Sequence, residues 1–155
     1  MAVQALSVAY LESGSSVPLA HAPEEASQTF VKGSVLIHDA ASGEVEQAGT
    51  EPVNEILGIA AGDASGTAGT DVAYIPADPS IVFEGNIGTS VSAGAIAATD
   101  QFQKYPLQLS GTSWFIDKTD TTNPCVKIVG FKDAVGTTNG RVYFKFLKST
   151  LAVED

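Results

Sequence analysis

The feature that most restricts the fold of this chain is its balance of β-branched and unbranched aliphatic side chains. Of 155 residues, 37 are Val, Ile or Thr, and 10 are Leu or Met. β-Branched side chains lose rotamer freedom in a helix and pack well on a pleated sheet. From residue 30 onward, short runs of them alternate with Gly-rich turns. The sequence therefore predicts an all-β protein, a compact β-barrel or sandwich.

The first 29 residues differ in composition and predict an extended N-terminal arm with a linker, before a β-rich domain at residues 30–155. Leu6, Val8 and Tyr10 alternate with small residues, which is the period of a strand. Residues 13–25 contain the Pro, Ser and Gly that are typical of linkers. The strand needs backbone partners, which either its own sheet or a partner's edge can supply. Both alternatives stay open here.

The last third of the chain gives the clearest strand pattern, with strands predicted at residues 107–109, 114–116, 126–131 and 141–147. Asn139-Gly140 predicts a two-residue hairpin turn, because both positions tolerate positive φ. Large aromatic side chains of this region are predicted to anchor the core or a subunit interface: Trp114, Phe115, Phe131, Phe144 and Phe146.

Charge excludes several classes of partner. With 8 basic and 18 acidic residues, the net charge is −10. Nucleic acids and anionic membranes are disfavoured, because both are bound through clusters of Lys and Arg. No apolar run approaches the ~20 residues of a membrane span. A secretory signal peptide begins with basic residues, and none precedes Lys32. We therefore expect the protein in the cytosol or in a particle assembled there.

The charges are also unevenly distributed along the chain. Residues 1–103 carry one basic and 13 acidic residues, whereas residues 104–155 carry seven basic and five acidic ones. A trimer or array could pair the basic C-terminal strands of one copy with the acidic N-terminal region of the next. The alternative is that the charges mix when the chain folds.

No catalytic or metal-binding pattern emerges, so we expect a protein that is not an enzyme and has no cofactor. Gly62-Asp63-Ala64-Ser65-Gly66 departs from the serine-protease motif, and only His21 and His38 could act as the base. The single cysteine, Cys125, excludes an internal disulfide and a cysteine-based zinc site, and it precedes an apolar run typical of a buried thiol.

Several segments follow one another in a characteristic order. They are an N-terminal polar/apolar segment, residues 30–37, residues 55–60 with the small-residue loop after them, residues 81–85, Trp114-Phe115-Ile116-Asp117-Lys118, and residues 129–133 leading to 139–146. This order, over most of residues 29–147, resembles one family: the capsid decoration, or cement, proteins of tailed bacteriophages. The resemblance implies production in the host cytoplasm.

The resemblance implies a small β-rich virion protein that binds the outer surface of the expanded capsid and stabilises it against internal DNA pressure. Its implied partners are the major capsid protein and further copies of itself, in a homotrimer. Leu6, Val8, Tyr10 and Leu11 would be the capsid-binding residues of the arm.

A β-sandwich module that binds glycans is the alternative. It would be built around Trp114, Tyr105 or Tyr143, whose rings could stack on a sugar.

Overall fold

The computed structural model describes residues 3–14, 16–88 and 94–152. Regular structure in these residues consists of twelve strands and two short 3-10 helices, Ala98–Asp100 and Lys148–Thr150. The strands are β1 (Ser7–Leu11), β2 (Ala20–Pro23), β3 (Val35–His38), β4 (Val45–Gln47), β5 (Ile56–Ala60), β6 (Asp71–Pro76), β7 (Ile81–Gly88), β8 (Lys104–Tyr105), β9 (Leu107–Ser110), β10 (Ser113–Asp117), β11 (Val126–Phe131) and β12 (Arg141–Phe146).

The larger sheet is nearly closed. Its strand order is β8-β11-β12-β7-β10-β9, and β1 also pairs with β7. The two outermost strands, β8 and β9, are separated in the chain only by Pro106. One segment therefore lies at both edges, which gives the sheet a barrel-like shape. The prediction of an all-β barrel is confirmed.

The second sheet has five antiparallel strands in the order β2-β6-β5-β3-β4. Its two edges also meet. Glu24, which follows β2, forms a bridge with Val45 of β4, and the Glu25 amide donates to the Val45 carbonyl at 3.0 Å. These contacts curl the smaller sheet around its own group of apolar side chains.

Strands β3 and β5 connect two hydrophobic cores because they are apolar on both faces. Val35 and Ile56 belong to the large core shared by the two sheets, whereas Leu36 belongs to the small core inside the five-stranded sheet. Leu57 packs against that small core. Alternation of side chains along each strand thus assigns neighbouring residues to different cores.

The predicted aromatic anchors lie in the barrel. Trp114, Phe115, Phe144 and Phe146 are buried, and Phe131 is half-buried against the core. Phe83 stacks on Phe144, and Phe146 meets both rings edge to face, with all three centroid distances between 5.2 and 5.8 Å. Such aromatic pairs add stabilisation to the apolar area that they bury.

An extended N-terminal arm is not confirmed, because the segment lies on its own sheet. Strand β1 pairs antiparallel with β7, from Ser7 opposite Glu84 to Leu11 opposite Ile81. Leu6 is only 2% exposed, and Val8 and Leu11 pack partly buried against the core. Tyr10 is the exception, at 47% exposure. The strand could pair with its own sheet or with the edge of a partner, and in the structure it pairs with its own sheet.

Two glycines make room for the N-terminal segment. A Cβ at Gly85 would lie 2.6 Å from Leu6 Cδ2, and one at Gly33 would lie 2.8 Å from the Ala5 Cβ. Gly33 also has a φ of +88°, which favours glycine. A side chain at either position would therefore push the segment away from the sheet.

The two-residue hairpin predicted at Asn139-Gly140 is wrong. Strands β11 and β12 do pair antiparallel, but the connection runs over residues 132–140. The amides of Lys132 and Asp133 both donate to the Arg141 carbonyl, and the Arg141 amide donates to the Asp133 carboxylate. Asn139 has the expected positive φ, +50°, yet it lies at the end of a longer loop.

Replacing Leu6 with Ala tests whether the N-terminal segment is part of the fold. We expect Leu6→Ala to lower the free energy of unfolding by about 2–5 kcal/mol, because it leaves a cavity in the large core. Leu19→Ala is the matched control: Leu19 is 58% exposed, and its loss should change stability by less than about 0.5 kcal/mol. Denaturant unfolding measures both. Equal effects of the two substitutions would contradict the folded-back strand.

Candidate functional site

The charges of the two halves of the chain mix in part. Glu84 of β7 accepts hydrogen bonds from Lys132 at 2.9 Å and from Arg141 at 3.1 Å. Burial opposes ionisation of Glu84, but these two cations and a hydrogen bond from Ser7 lower its pKa below the ordinary value. Arg141 also donates to the Ala5 carbonyl at 3.2 Å. These contacts, centred on the buried Arg141, tie the N-terminal segment to β7 and β12.

Three further lysines form a row across three strands of the larger sheet. Lys104 of β8 lies opposite Lys127 of β11, which in turn lies opposite Lys145 of β12. Among the residues that the structure describes, ion pairs within 4 Å include Lys145 with Glu12 but none of the other two lysines. Like charges directly opposite one another destabilise a sheet.

Phe102 lies next to this row and is 61% exposed, the most exposed large apolar side chain among the described residues. Lys127 Nζ lies 5.7 Å from its ring centroid, within the range of a cation–π interaction. Phe102 has a φ of +66°, a conformation that costs a bulky residue on the order of 1–3 kcal/mol. We call Phe102, Lys104, Lys127 and Lys145 the lysine face.

A pair of carboxyl groups lies on the smaller sheet. The bridge between Glu24 and Val45 places Glu25 beside Glu46 of β4, and both side chains are half-buried. Partial burial, hydrogen bonding to Glu25 that requires a proton on one of the two carboxyl groups, and the negative charges of Glu25 and Asp39 raise the pKa of Glu46. We call Glu25 and Glu46 the carboxylate pair.

Exposed apolar side chains concentrate in the N-terminal segment. Of the eight large apolar residues that are exposed in the described parts of the chain, four lie between residues 3 and 19: Val3, Tyr10, Val17 and Leu19. The predicted capsid-binding residues thus divide. Leu6, Val8 and Leu11 face the core, whereas Tyr10 faces outward, with its ring 5.8 Å from that of Tyr143.

The loop that contains Ser65 is anchored by hydrogen bonds to Glu24. The Ser65 hydroxyl donates to the buried carboxylate of Glu24 at 3.0 Å, and the amides of Ser65 and Gly66 donate to the same carboxylate. Burial opposes ionisation of Glu24, but these bonds hold its pKa below the ordinary value. The histidines have other carboxylates beside them: Asp71 lies 3.1 Å from His21, and Glu55 lies 3.9 Å from His38.

Neither an activated thiol nor a metal-binding cluster is found among the described residues. Burial raises the pKa of the Cys125 thiol to about 12, so the nucleophilic thiolate is scarce. No group of three or more His, Cys, Asp or Glu side chains within residues 3–14, 16–88 and 94–152 could hold a metal ion. Over the same ranges, no helix is long and apolar enough to cross a membrane.

The three aromatic rings predicted as alternatives for stacking on a sugar are buried or half-buried, which leaves little ring surface for a sugar to contact. Trp114 is buried, the buried Tyr105 donates its hydroxyl to Asp100 at 2.9 Å, and Tyr143 is half-buried. A separate cavity of about 470 Å³ lies beside β5 and β6. Its walls include apolar residues together with Tyr74, Asp78 and Lys148.

No protein-family model matches the chain, and comparisons with curated proteins and with solved structures give no match either. The resemblance to phage decoration proteins therefore stays a prediction from the sequence.

The sequence did not single out Phe102 or the lysine row. Lys104, Lys127 and Lys145 are 18 or more residues apart in the chain, and only the strand register brings them together. The charge asymmetry between the two halves was the one available signal.

Replacing Glu24 with Gln tests the anchored loop. The pKa of Glu24 is lower in the folded than in the unfolded state. Its carboxylate therefore stabilises the fold at pH values above its unfolded-state pKa, and this stabilisation is lost as the pH falls through its folded-state pKa. We expect Glu24→Gln to cost about 1–3 kcal/mol near neutral pH and to reduce the loss of stability on acidification.

Glu25→Gln is the control for that substitution. It removes a repulsive neighbour of Glu46, so stability near neutral pH should stay the same or rise slightly. Thermal unfolding as a function of pH measures both variants. Equal destabilisation by the two would refute the anchoring role of Glu24.

Proposed function

We propose that this chain is a structural virion protein: a decoration protein that binds the outer surface of an expanded tailed-phage capsid and stabilises it against internal DNA pressure. It acts as a homotrimer and without catalysis, and its partner is the major capsid protein. The resemblance over residues 29–147 suggests this role.

The observation that carries the proposal is the concentration of exposed apolar side chains in the N-terminal segment. Its inward side chains, such as Leu6, fix the segment to the barrel, while Val17 and Leu19 project outward. Single exposed apolar residues are ordinary on protein surfaces. Here, however, half of the large apolar residues that are exposed in the described parts of the chain lie within residues 3–19, which favours a contact surface there. We assign the capsid contact to this outward side in place of a free arm.

The properties of the rest of the molecule support a passive role on an outer shell surface. A net charge of −10 discourages binding to stray DNA. Two cores joined through β3 and β5 give a scaffold that can transmit load between its contacts. Three weak capsid contacts in one trimer would add by avidity.

Sedimentation with purified capsids tests the proposal. We expect the protein to pellet with expanded heads, and the double variant Val17→Ser and Leu19→Ser to pellet at least about tenfold less tightly while keeping the fold. Val135→Ser is the control, since Val135 is similarly exposed but lies in the loop before β12. The proposal fails if the wild-type protein stays in the supernatant with expanded heads and purified virions contain none of it.

A module that binds a glycan or another small ligand is the second candidate, favoured by the cavity of about 470 Å³. This volume lies in the range of ligand pockets, and Tyr74, Asp78 and Lys148 offer polar contacts in an otherwise apolar wall. Oligosaccharide binding on a glycan array that is lost in Lys148→Ala, without capsid binding, would favour this candidate over the first.

A further inference from the structure

The lysine face carries like charges at directly opposite positions of the larger sheet. Opposite residues in an antiparallel pair have Cβ atoms about 5 Å apart, so Lys104 and Lys127 repel one another, whereas Glu12 pairs with the ammonium group of Lys145. This repulsion lowers the stability of the isolated protein. An acidic partner that lay across the row would remove the repulsion and gain attraction instead.

Phe102 supplies the apolar part of the same surface. Aromatic side chains often contribute most to binding at the centre of an interface. The ring is exposed, and its backbone is held in place because the Phe102 amide donates to the Ile128 carbonyl at 3.0 Å. The strained conformation presents the ring beside Lys127.

The carboxylate pair is the matching feature elsewhere on the same chain. The bridge between Glu24 and Val45 places Glu25 beside Glu46, so the two carboxylates repel one another when both are ionised, and Asp39 adds to the negative potential there. Each of the two surfaces therefore holds an unfavourable set of like charges that the other surface would neutralise. A second copy of the chain brings both surfaces together.

We infer that the lysine face of one copy binds the carboxylate pair of a second copy, head to tail. Such a contact joins two different surfaces, so it forms a ring when its rotation closes. The inference rests on the self-association included in the proposed function, but it requires no capsid.

A second copy is favoured over nucleic acid as the occupant. A phosphate backbone carries about one charge per 1.7 Å of duplex, so it would extend beyond the lysine face onto the rest of a molecule of net charge −10. Two copies also repel one another at long range, but salt screens that repulsion beyond about 8 Å at physiological ionic strength. At contact distance the local charges decide, and these are complementary.

Charge reversal tests the contact. We expect the wild-type protein to associate in sedimentation velocity as its concentration rises. Lys127→Glu and Glu46→Lys should each raise the dissociation constant by about tenfold or more. Neither substitution should impair folding, because each one relieves a local repulsion; thermal unfolding checks this. The double variant, which exchanges the two charges, should associate more tightly than either single variant.

Lys32→Glu is the control, because it makes the same change in net charge at an exposed residue outside the lysine face. A monomeric wild-type protein up to about 1 mM, an equal effect of Lys32→Glu, or no recovery in the double variant would each overturn the inference. A monomer that still pellets with expanded heads would overturn this contact and leave the capsid proposal intact.

Discussion

The rest of the structure depends on two strands that are buried on both faces. Strands β3 and β5 send Val35 and Ile56 into the large core and Leu36 toward the small one. A one-residue shift in register would exchange these side chains between cores of different size and shape. The register of β3 and β5 therefore fixes how the five-stranded sheet is joined to the barrel, and with it the relative positions of the lysine face and the carboxylate pair.

A buried polar group fixes the position of the N-terminal segment in this frame. Arg141 reaches the Ala5 carbonyl while its charge is balanced by Glu84, which Lys132 also contacts. Breaking a buried ion pair is costly, because the remaining charge stays desolvated. The segment around Ala5 and Leu6 is thus held by polar contacts as well as by the burial of Leu6.

Two surfaces with different chemistry follow from this arrangement. The N-terminal segment offers apolar contacts, which we assign to the capsid, whereas the lysine face and the carboxylate pair offer charge, which we assign to self-association. Because separate residues carry the two roles, substitutions at Leu19 and at Lys127 should affect different steps of assembly.

The sequence by itself determined the all-β class and the shared face of Phe144 and Phe146 on the last strand, because residue type and a period of two act locally. It also suggested the charge asymmetry. Tertiary structure alone decided that β1 folds back and that Asn139-Gly140 ends a longer loop, since these depend on Gly85 and on hydrogen bonds of Arg141 with distant residues. It alone aligned the three lysines, because strand register is set by non-local packing.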